Sequence, residues 1–132
     1  MKIKIVIKQN LRLDTADLRT DDYKFDEKLP KKQIGKYRGY KVYEVDGNYV
    51  RNNIDIDFVG GGNPARYQYV PEGELWIERL GDNEKSDVMG FIHHEYTECE
   101  RMKKLGETYE EAHEVASEVE KKLRKKIDKE EK

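Results

Sequence analysis

The residues with the greatest chemical potential lie in one stretch, residues 91–102, which has the sequence FIHHEYTECERM. Two adjacent histidines are followed there by three glutamates, and the third histidine of the chain, His113, comes later. On a helix of about 100° per residue, His94 and Glu98 lie one turn apart on the same face and can reach a common point. Imidazole nitrogen and carboxylate oxygen both bind zinc. The spacing therefore predicts a metal site formed by His94, Glu98 and, from a second helix, His113.

Glu95 lies near the middle of the apolar arc of the same predicted helix, which consists of Val88, Phe91, Ile92, Cys99 and Met102. A carboxylate in such an arc is costly unless it is paired or used. The spacing His94-Glu95-x-x-Glu98 differs at its last position from the zinc-protease motif His-Glu-x-x-His, in which the glutamate is the general base. We therefore predict that Glu95 activates a water on the ion.

Each of these residues also has an interpretation without this metal site. His94 and Glu98 would suit an exposed pair on a solvated helix face. His113 could pack against its own helix, and Glu95 could be neutral or bonded to one of the nine tyrosines. Glu110 precedes His113 by three residues, which is the Glu-x-x-His spacing of di-iron carboxylate proteins, so two copies of the chain could form a di-metal site.

Strands are predicted for the first two thirds of the chain. Residues 9–36 lack a long periodic segment and should be loop with short extended pieces. The DGN sequence at residues 46–48 is a hairpin signal, so a return strand should follow it directly. The glycines at 60–62 suggest a flexible connection that acts as a flap near the site. The strands predicted from apolar alternation or short apolar runs are at residues 2–8, 40–45, 54–59, 67–70 and 74–77.

Two helices are predicted for the last third, and they must position the candidate ligands. From about Glu84 the apolar period becomes 3.6, with a cap at residues 82–83 and an end at Gly106. Residues 108–111 fit a capping box, so a second helix should begin there and fold back to present His113. The predicted fold class is α+β, with a small, mostly antiparallel sheet from the first two thirds packed against two C-terminal helices.

Composition and charge favour one soluble, cytoplasmic domain. Its parts are a strand and loop region at 1–36, a β-rich core at 37–80 and the helical pair at 84–130 of the 132 residues. The single cysteine, Cys99, excludes an internal disulfide framework and should be a buried thiol. The net charge of −2 gives no basic face for nucleic acid, and no apolar run approaches the ~20 residues that span a membrane. We expect a monomer or a homodimer that acts on, or binds, a peptide or protein.

Residues 74–118 resemble the minimal zincin-type metallopeptidase domains of archaeal, bacterial and phage proteins. The resemblance rests on a short strand that contains Trp76, on His-Glu-x-x-Glu at 94–98, and on Met102, Gly106, Tyr109 and the pair Ala112 and His113. It implies an edge strand near residues 75–77, where an extended peptide could add by β-augmentation.

The resemblance and the spacing together favour a zinc-dependent hydrolase. His94, Glu98 and His113 would hold Zn²⁺ or another divalent metal, and Glu95 would be the general base. The alternative hypothesis is a protein-interaction module without enzymatic activity, which is either stabilised by a metal or free of metal. In that case the strands and helices would be binding surfaces and the histidines incidental.

Overall fold

The computed structural model describes residues 24–79 and 85–130. Within these ranges the strands form one sheet and the two long helices pack together, so the predicted α+β class is confirmed. The strand predicted at 2–8 and the cap at 82–83 lie outside the described residues. The elements in chain order are β1 (Lys31–Tyr37), β2 (Tyr40–Val45), α1 (Gly47–Asn53), β3 (Gly61–Gly62), β4 (Glu74–Glu78), α2 (Lys85–Lys104) and α3 (Tyr109–Glu130). None of the described helices is both long and apolar enough to cross a membrane.

The sheet is mixed and has the strand order β1-β2-β4-β3. β1 pairs with β2 and β3 pairs with β4 in antiparallel fashion, so two of the three pairings agree with the predicted antiparallel character. β2 and β4 run parallel, with Val42 opposite Leu75. A parallel pair needs a crossover connection, which α1 and the irregular segment after it provide.

The strand β4 lies at the centre of the core. Leu75, Trp76 and Ile77 are each at most 2% exposed. Because side chains alternate along a strand, Leu75 and Ile77 pack against α2 on one face, whereas Trp76 packs with Val50 of α1 on the other. The sheet is therefore covered on both faces, and α2 is held firmly against β4.

The helices α2 and α3 form an antiparallel pair joined by a short turn. Gly106 in this turn has a φ of +67°, a conformation that favours glycine. The predicted capping box is present: Thr108 Oγ1 accepts from Glu111 N at 3.2 Å, and Glu111 Oε1 accepts from Thr108 N at 2.9 Å. Both predicted helices are thus confirmed, and the reversal brings His113 back against α2.

The hairpin predicted at residues 46–48 is wrong. Asp46 is instead the N-cap of α1, and its side chain accepts a hydrogen bond from Tyr49 N at 3.1 Å. Aspartate followed by glycine suits a hairpin turn, but aspartate is equally favoured at a helix N-cap. The sheet decides between the two, because the next long strand runs parallel to β2 and cannot be reached through a tight turn.

The strands predicted at 54–59 and 67–70 are also wrong, since both segments consist of turns and irregular backbone. In the first segment Ile56 is 74% exposed whereas Phe58 is fully buried. Alternate residues therefore do not share a face, as they must in a strand. In the second segment the backbone hydrogen bonds close short local turns, so its aromatic residues fill the core without joining the sheet.

The edge strand implied near residues 75–77 is not an edge. β2 pairs along one side of β4, and β3 pairs with Ile77 and Trp76 on the other. An extended peptide therefore cannot add to β4 at these positions.

β1 was expected within a loop region, and six of its seven residues are exposed. Its sequence lacks the apolar alternation that identifies a strand. It is a strand because its backbone pairs with β2.

Candidate metal centre

The three predicted ligands meet at the seam between α2 and α3. The distances are 3.2 Å from His94 Nε2 to Glu98 Oε2, 2.8 Å from Glu98 Oε2 to His113 Nδ1, and 3.2 Å between the two ring nitrogens. In a tetrahedral zinc site with bonds of about 2.0–2.1 Å, neighbouring ligand atoms lie about 3.3 Å apart. The group therefore has the ligand atoms and the spacing to hold a metal ion.

The centre is buried on the side of α2 and open on the side of α3. His94 is 9% exposed and Glu98 2% exposed, so the interpretation as an exposed pair on a solvated face is wrong. The side chain of His113 is 44% exposed, which gives solvent access to the site. Glu110, which forms the Glu-x-x-His spacing of di-iron proteins with His113, is exposed. Glu98 rather than Glu110 is the carboxylate beside His113.

The nitrogen His113 Nδ1 has more close contacts than hydrogen bonding can use. Glu98 Oε2 lies 2.8 Å from it, the hydroxyl of Tyr109 3.1 Å and His94 Nε2 3.2 Å. A ring nitrogen carries either one hydrogen or one lone pair, so it can form one good hydrogen bond in its plane. A cation between the two imidazoles and the carboxylate would explain why all three converge.

The carboxylates around His94 favour a positive charge on its ring. Burial lowers the pKa of His94, but Glu98, Glu95 and Glu120 outweigh burial and raise this pKa to about 9. For Glu98 the effect of burial has the opposite sign and raises the pKa, but hydrogen bonds with His113 and His94 outweigh it and bring the pKa below its usual value. These surroundings stabilise a positive charge, whether it is a proton on imidazole or a divalent cation.

Glu95 lies beside the ligands and is held by Asn63. It is 8% exposed, and Asn63 Nδ2 donates to Glu95 Oε1 at 3.0 Å and to Glu98 Oε1 at 3.1 Å. Burial, and after it the charge of Glu98, raises the pKa of Glu95 well above its usual value. The partner of Glu95 is thus an asparagine amide rather than a tyrosine, and burial favours the neutral form of the acid.

Asn63 is a site residue that the sequence did not reveal. Its side chain is fully buried, and its Oδ1 accepts hydrogen bonds from the backbone N–H groups of Ala65 and Arg66, each at 3.0 Å. These bonds fix the amide so that Nδ2 faces the two carboxylates. The only signal in the sequence is a polar residue directly after three glycines, a pattern that is common in ordinary loops.

The flexible flap predicted at residues 60–62 is wrong for its second and third residues. Gly61 and Gly62 form β3 and are buried against β4. A Cβ on Gly61 would lie 2.6 Å from the carbonyl oxygen of Trp76 and 3.0 Å from Glu95 Oε2. Glycine is required here because the backbone approaches both the sheet and the general-base candidate closely.

Two other reactive residues lie outside the centre. The ring of His93 lies on the side of α2 that faces β1, where its Nδ1 lies 3.3 Å from the hydroxyl of Tyr37. Cys99 is fully buried, as predicted, and its Sγ lies 3.5 Å from the hydroxyl of Tyr40. Burial raises the pKa of the Cys99 thiol, so it is an unreactive part of the core.

No protein-family model, curated protein or solved structure matches the chain. A functional assignment therefore depends on the chemistry and geometry of the site itself. That geometry consists of three converging ligand atoms, a buried acid next to them and one open side. A mixed set of imidazole and carboxylate ligands with access for a small molecule is typical of catalytic metal sites, whereas structural zinc sites are usually closed by four protein ligands.

Proposed function

We propose that the protein is a zinc-dependent, zincin-like hydrolase whose ion is held by His94, Glu98 and His113. The observation that supports this most directly is the triangle of ligand atoms with sides of 2.8–3.2 Å. Two imidazoles and one carboxylate are the protein ligands of known catalytic zinc sites, in which a fourth position accepts water or substrate. The exposed flank of His113 offers that access.

We propose zinc as the ion, because the ligand set of two imidazoles and one carboxylate disfavours magnesium and calcium. Magnesium and calcium prefer oxygen ligands throughout, which two imidazoles do not provide. Two histidines and one carboxylate also bind iron in oxygenases, and imidazole suits nickel and copper as well. Metal analysis should therefore include iron, manganese and nickel beside zinc.

Hydrolysis at this site would need polarisation of the substrate carbonyl and a group that transfers protons. A bound zinc ion would polarise the scissile carbonyl and bring the pKa of water to about 7. Glu95, next in sequence to His94, would take a proton from that water and deliver it to the leaving amine. Burial raises the pKa of Glu95 in the metal-free protein, and the charge of a bound zinc ion would lower it again, so that the carboxylate is available as the base.

We propose that the hydroxyl of Tyr109 stabilises the oxyanion that forms during hydrolysis. Its hydroxyl lies 3.1 Å from His113 Nδ1, at the open side of the centre. Burial raises the pKa of Tyr109 above its usual value, so the hydroxyl keeps its proton and can donate a hydrogen bond to a developing oxyanion. A peptide or another amide is the substrate class that needs this combination of acid, base and electrophile.

The variant Glu95→Gln tests the hydrolase proposal. We expect it to keep one zinc per chain, because its ligands are intact, and to lose hydrolysis by about 10²–10⁴-fold, because the general base is gone. Cleavage of a broad peptide library by the zinc-loaded protein, followed by mass spectrometry, provides the measurement.

The matched control is Glu118→Gln, which changes the same charge on an exposed site of α3. It should cleave as fast as the wild type. Equal cleavage by Glu95→Gln, or no cleavage of any library peptide by the zinc-loaded wild type, would contradict the hydrolase proposal.

A protein-interaction module is the second candidate, and one observation favours it. Among the described residues β1 pairs along one side only, with β2, and most of its side chains are exposed. Such a strand can pair with an extended segment of a partner. Metal analysis separates the hydrolase from the metal-free form of this module, because less than one equivalent of bound zinc, iron, manganese and nickel combined would favour the metal-free module. The peptide-library measurement separates the hydrolase from a metal-stabilised module.

A further inference from the structure

The ring of His94 has a second nitrogen that the metal centre does not use. His94 Nδ1 is closed off from solvent and has no well-aligned hydrogen bond, although Glu120 Oε1 lies 2.9 Å from it. This distance suits a hydrogen bond, and only the angle at the ring nitrogen falls short of one. A buried N–H that lacks an acceptor is costly, and Glu120 is placed to remove that cost.

We propose that Glu120 is a positioning residue for His94, an inference that rests on the proposed metal centre. Its carboxylate accepts the proton on Nδ1 and so selects the tautomer in which Nε2 is free to bind the ion. Ligand histidines commonly donate their other N–H to a carboxylate, which orients the ring and raises its basicity. Glu120 does not touch the ion and acts only through His94.

Arg124 holds Glu120 in the orientation that this role requires. Arg124 Nε donates to Glu120 Oε2 at 2.8 Å, which leaves Oε1 for His94. The guanidinium also bonds Asp87 on α2, so its own position is fixed from the opposite helix. Polar contacts therefore cross the helix seam in successive layers, formed by the pairs Glu98 and His113, His94 and Glu120, and Asp87 and Arg124.

Gly90 provides the space for this arrangement. Glycine is the poorest helix former after proline, so its presence inside α2 calls for a local reason. A Cβ at this position would lie 2.8 Å from Arg124 Nε and 3.2 Å from Glu120 Cγ. Any other residue at position 90 would therefore force the side chain of Arg124 to shift and would crowd Glu120 beside His94.

Zinc affinity of the full chain tests the proposal, and chelator competition gives the dissociation constant. We expect Glu120→Ala to bind zinc about 10–100-fold more weakly than the wild type. Glu120→Gln keeps an acceptor oxygen and should recover part of this loss. Gly90→Ala should also weaken zinc binding, even though alanine favours the helix. The control Glu118→Ala removes an exposed glutamate of the same helix and should leave the affinity unchanged.

An NMR measurement distinguishes positioning from a general loss of structure. In the zinc-loaded wild type, the Nδ1 proton of His94 should give a slowly exchanging resonance, which Glu120→Ala should lose while the spectrum stays folded. Wild-type zinc affinity together with an unchanged Nδ1 resonance in Glu120→Ala would overturn this role for Glu120. Failure of the wild type to bind zinc would overturn the metal centre itself, and a failure of peptide hydrolysis alone leaves this test intact.

Discussion

The amide of Asn63 allows two glutamates to stay buried side by side. Its two N–H groups are divided between Glu95 and Glu98, and its oxygen is occupied by two backbone donors. Every polar atom of the side chain is thus paired, as a buried amide requires. The arrangement connects the loop after β3 to the face of α2 that carries the proposed ligands His94 and Glu98.

Replacement of Asn63 by alanine should lower the free energy of unfolding of the metal-free protein by about 1–3 kcal/mol, because buried acceptors and two backbone N–H groups lose their partner. Urea unfolding followed by circular dichroism measures this. Asn52→Ala, at an exposed position of α1, is the control and should have little effect. Equal stability of the two variants would contradict the structural role of Asn63.

The convergence of His94, Glu98 and His113 was predictable from the sequence, whereas the contacts of Asn63 and Glu120 that support it were not. His94 and Glu98 are related by one helical turn, and the glycine and capping box before His113 are local signals. The contacts of Asn63 and Glu120 with the centre depend instead on how distant segments pack. A single sequence contains no periodicity that would reveal such contacts.

At the scale of secondary structure elements, β3 brings the sheet into contact with Glu95 of α2. Gly61 pairs with Ile77 in the sheet, and its Cα also faces the carboxylate of Glu95 on α2. The absence of a side chain therefore lets the sheet, the loop with Asn63 and the helix meet at one point. Gly61 and Gly62 thus serve close packing.

Gly61→Ala should lower the free energy of unfolding by about 1–3 kcal/mol, because the added methyl overlaps the carbonyl of Trp76. The matched control is Gly35→Ala in β1, where an added Cβ meets no atom within 4 Å. We expect the control to be as stable as the wild type or slightly more stable. Thermal and urea unfolding compare them, and similar losses in both variants would refute the packing role.

Elements with strong local signals were predicted and the others were not. α2, α3 and β2 have clear periodicity and were predicted within one or two residues, as was β4. β1 is almost wholly exposed and exists because β2 is its partner. α1 begins with residues that also suit a hairpin, and only the parallel pairing of β2 with β4 excludes that alternative.

At the scale of the whole molecule, the proposed metal centre lies between a helix that packs on the sheet and a helix that packs mainly on that first helix. α2 packs on the buried strand β4, whereas α3 packs chiefly on α2. The contacts across this helix pair are largely polar near the site, and His113 is the proposed ligand that α3 contributes. An ion shared by both helices would hold α3 in place and couple folding to metal binding.

The most direct test of the account is the zinc content and zinc affinity of protein prepared without a histidine tag. We predict one zinc per chain in the wild type. His94→Ala and His113→Ala should each lose stoichiometric binding, whereas His93→Ala, whose ring faces away from the centre, should retain it. Zinc binding that is unchanged after removal of both His94 and His113, or a wild type that binds no divalent metal, would contradict the metal centre.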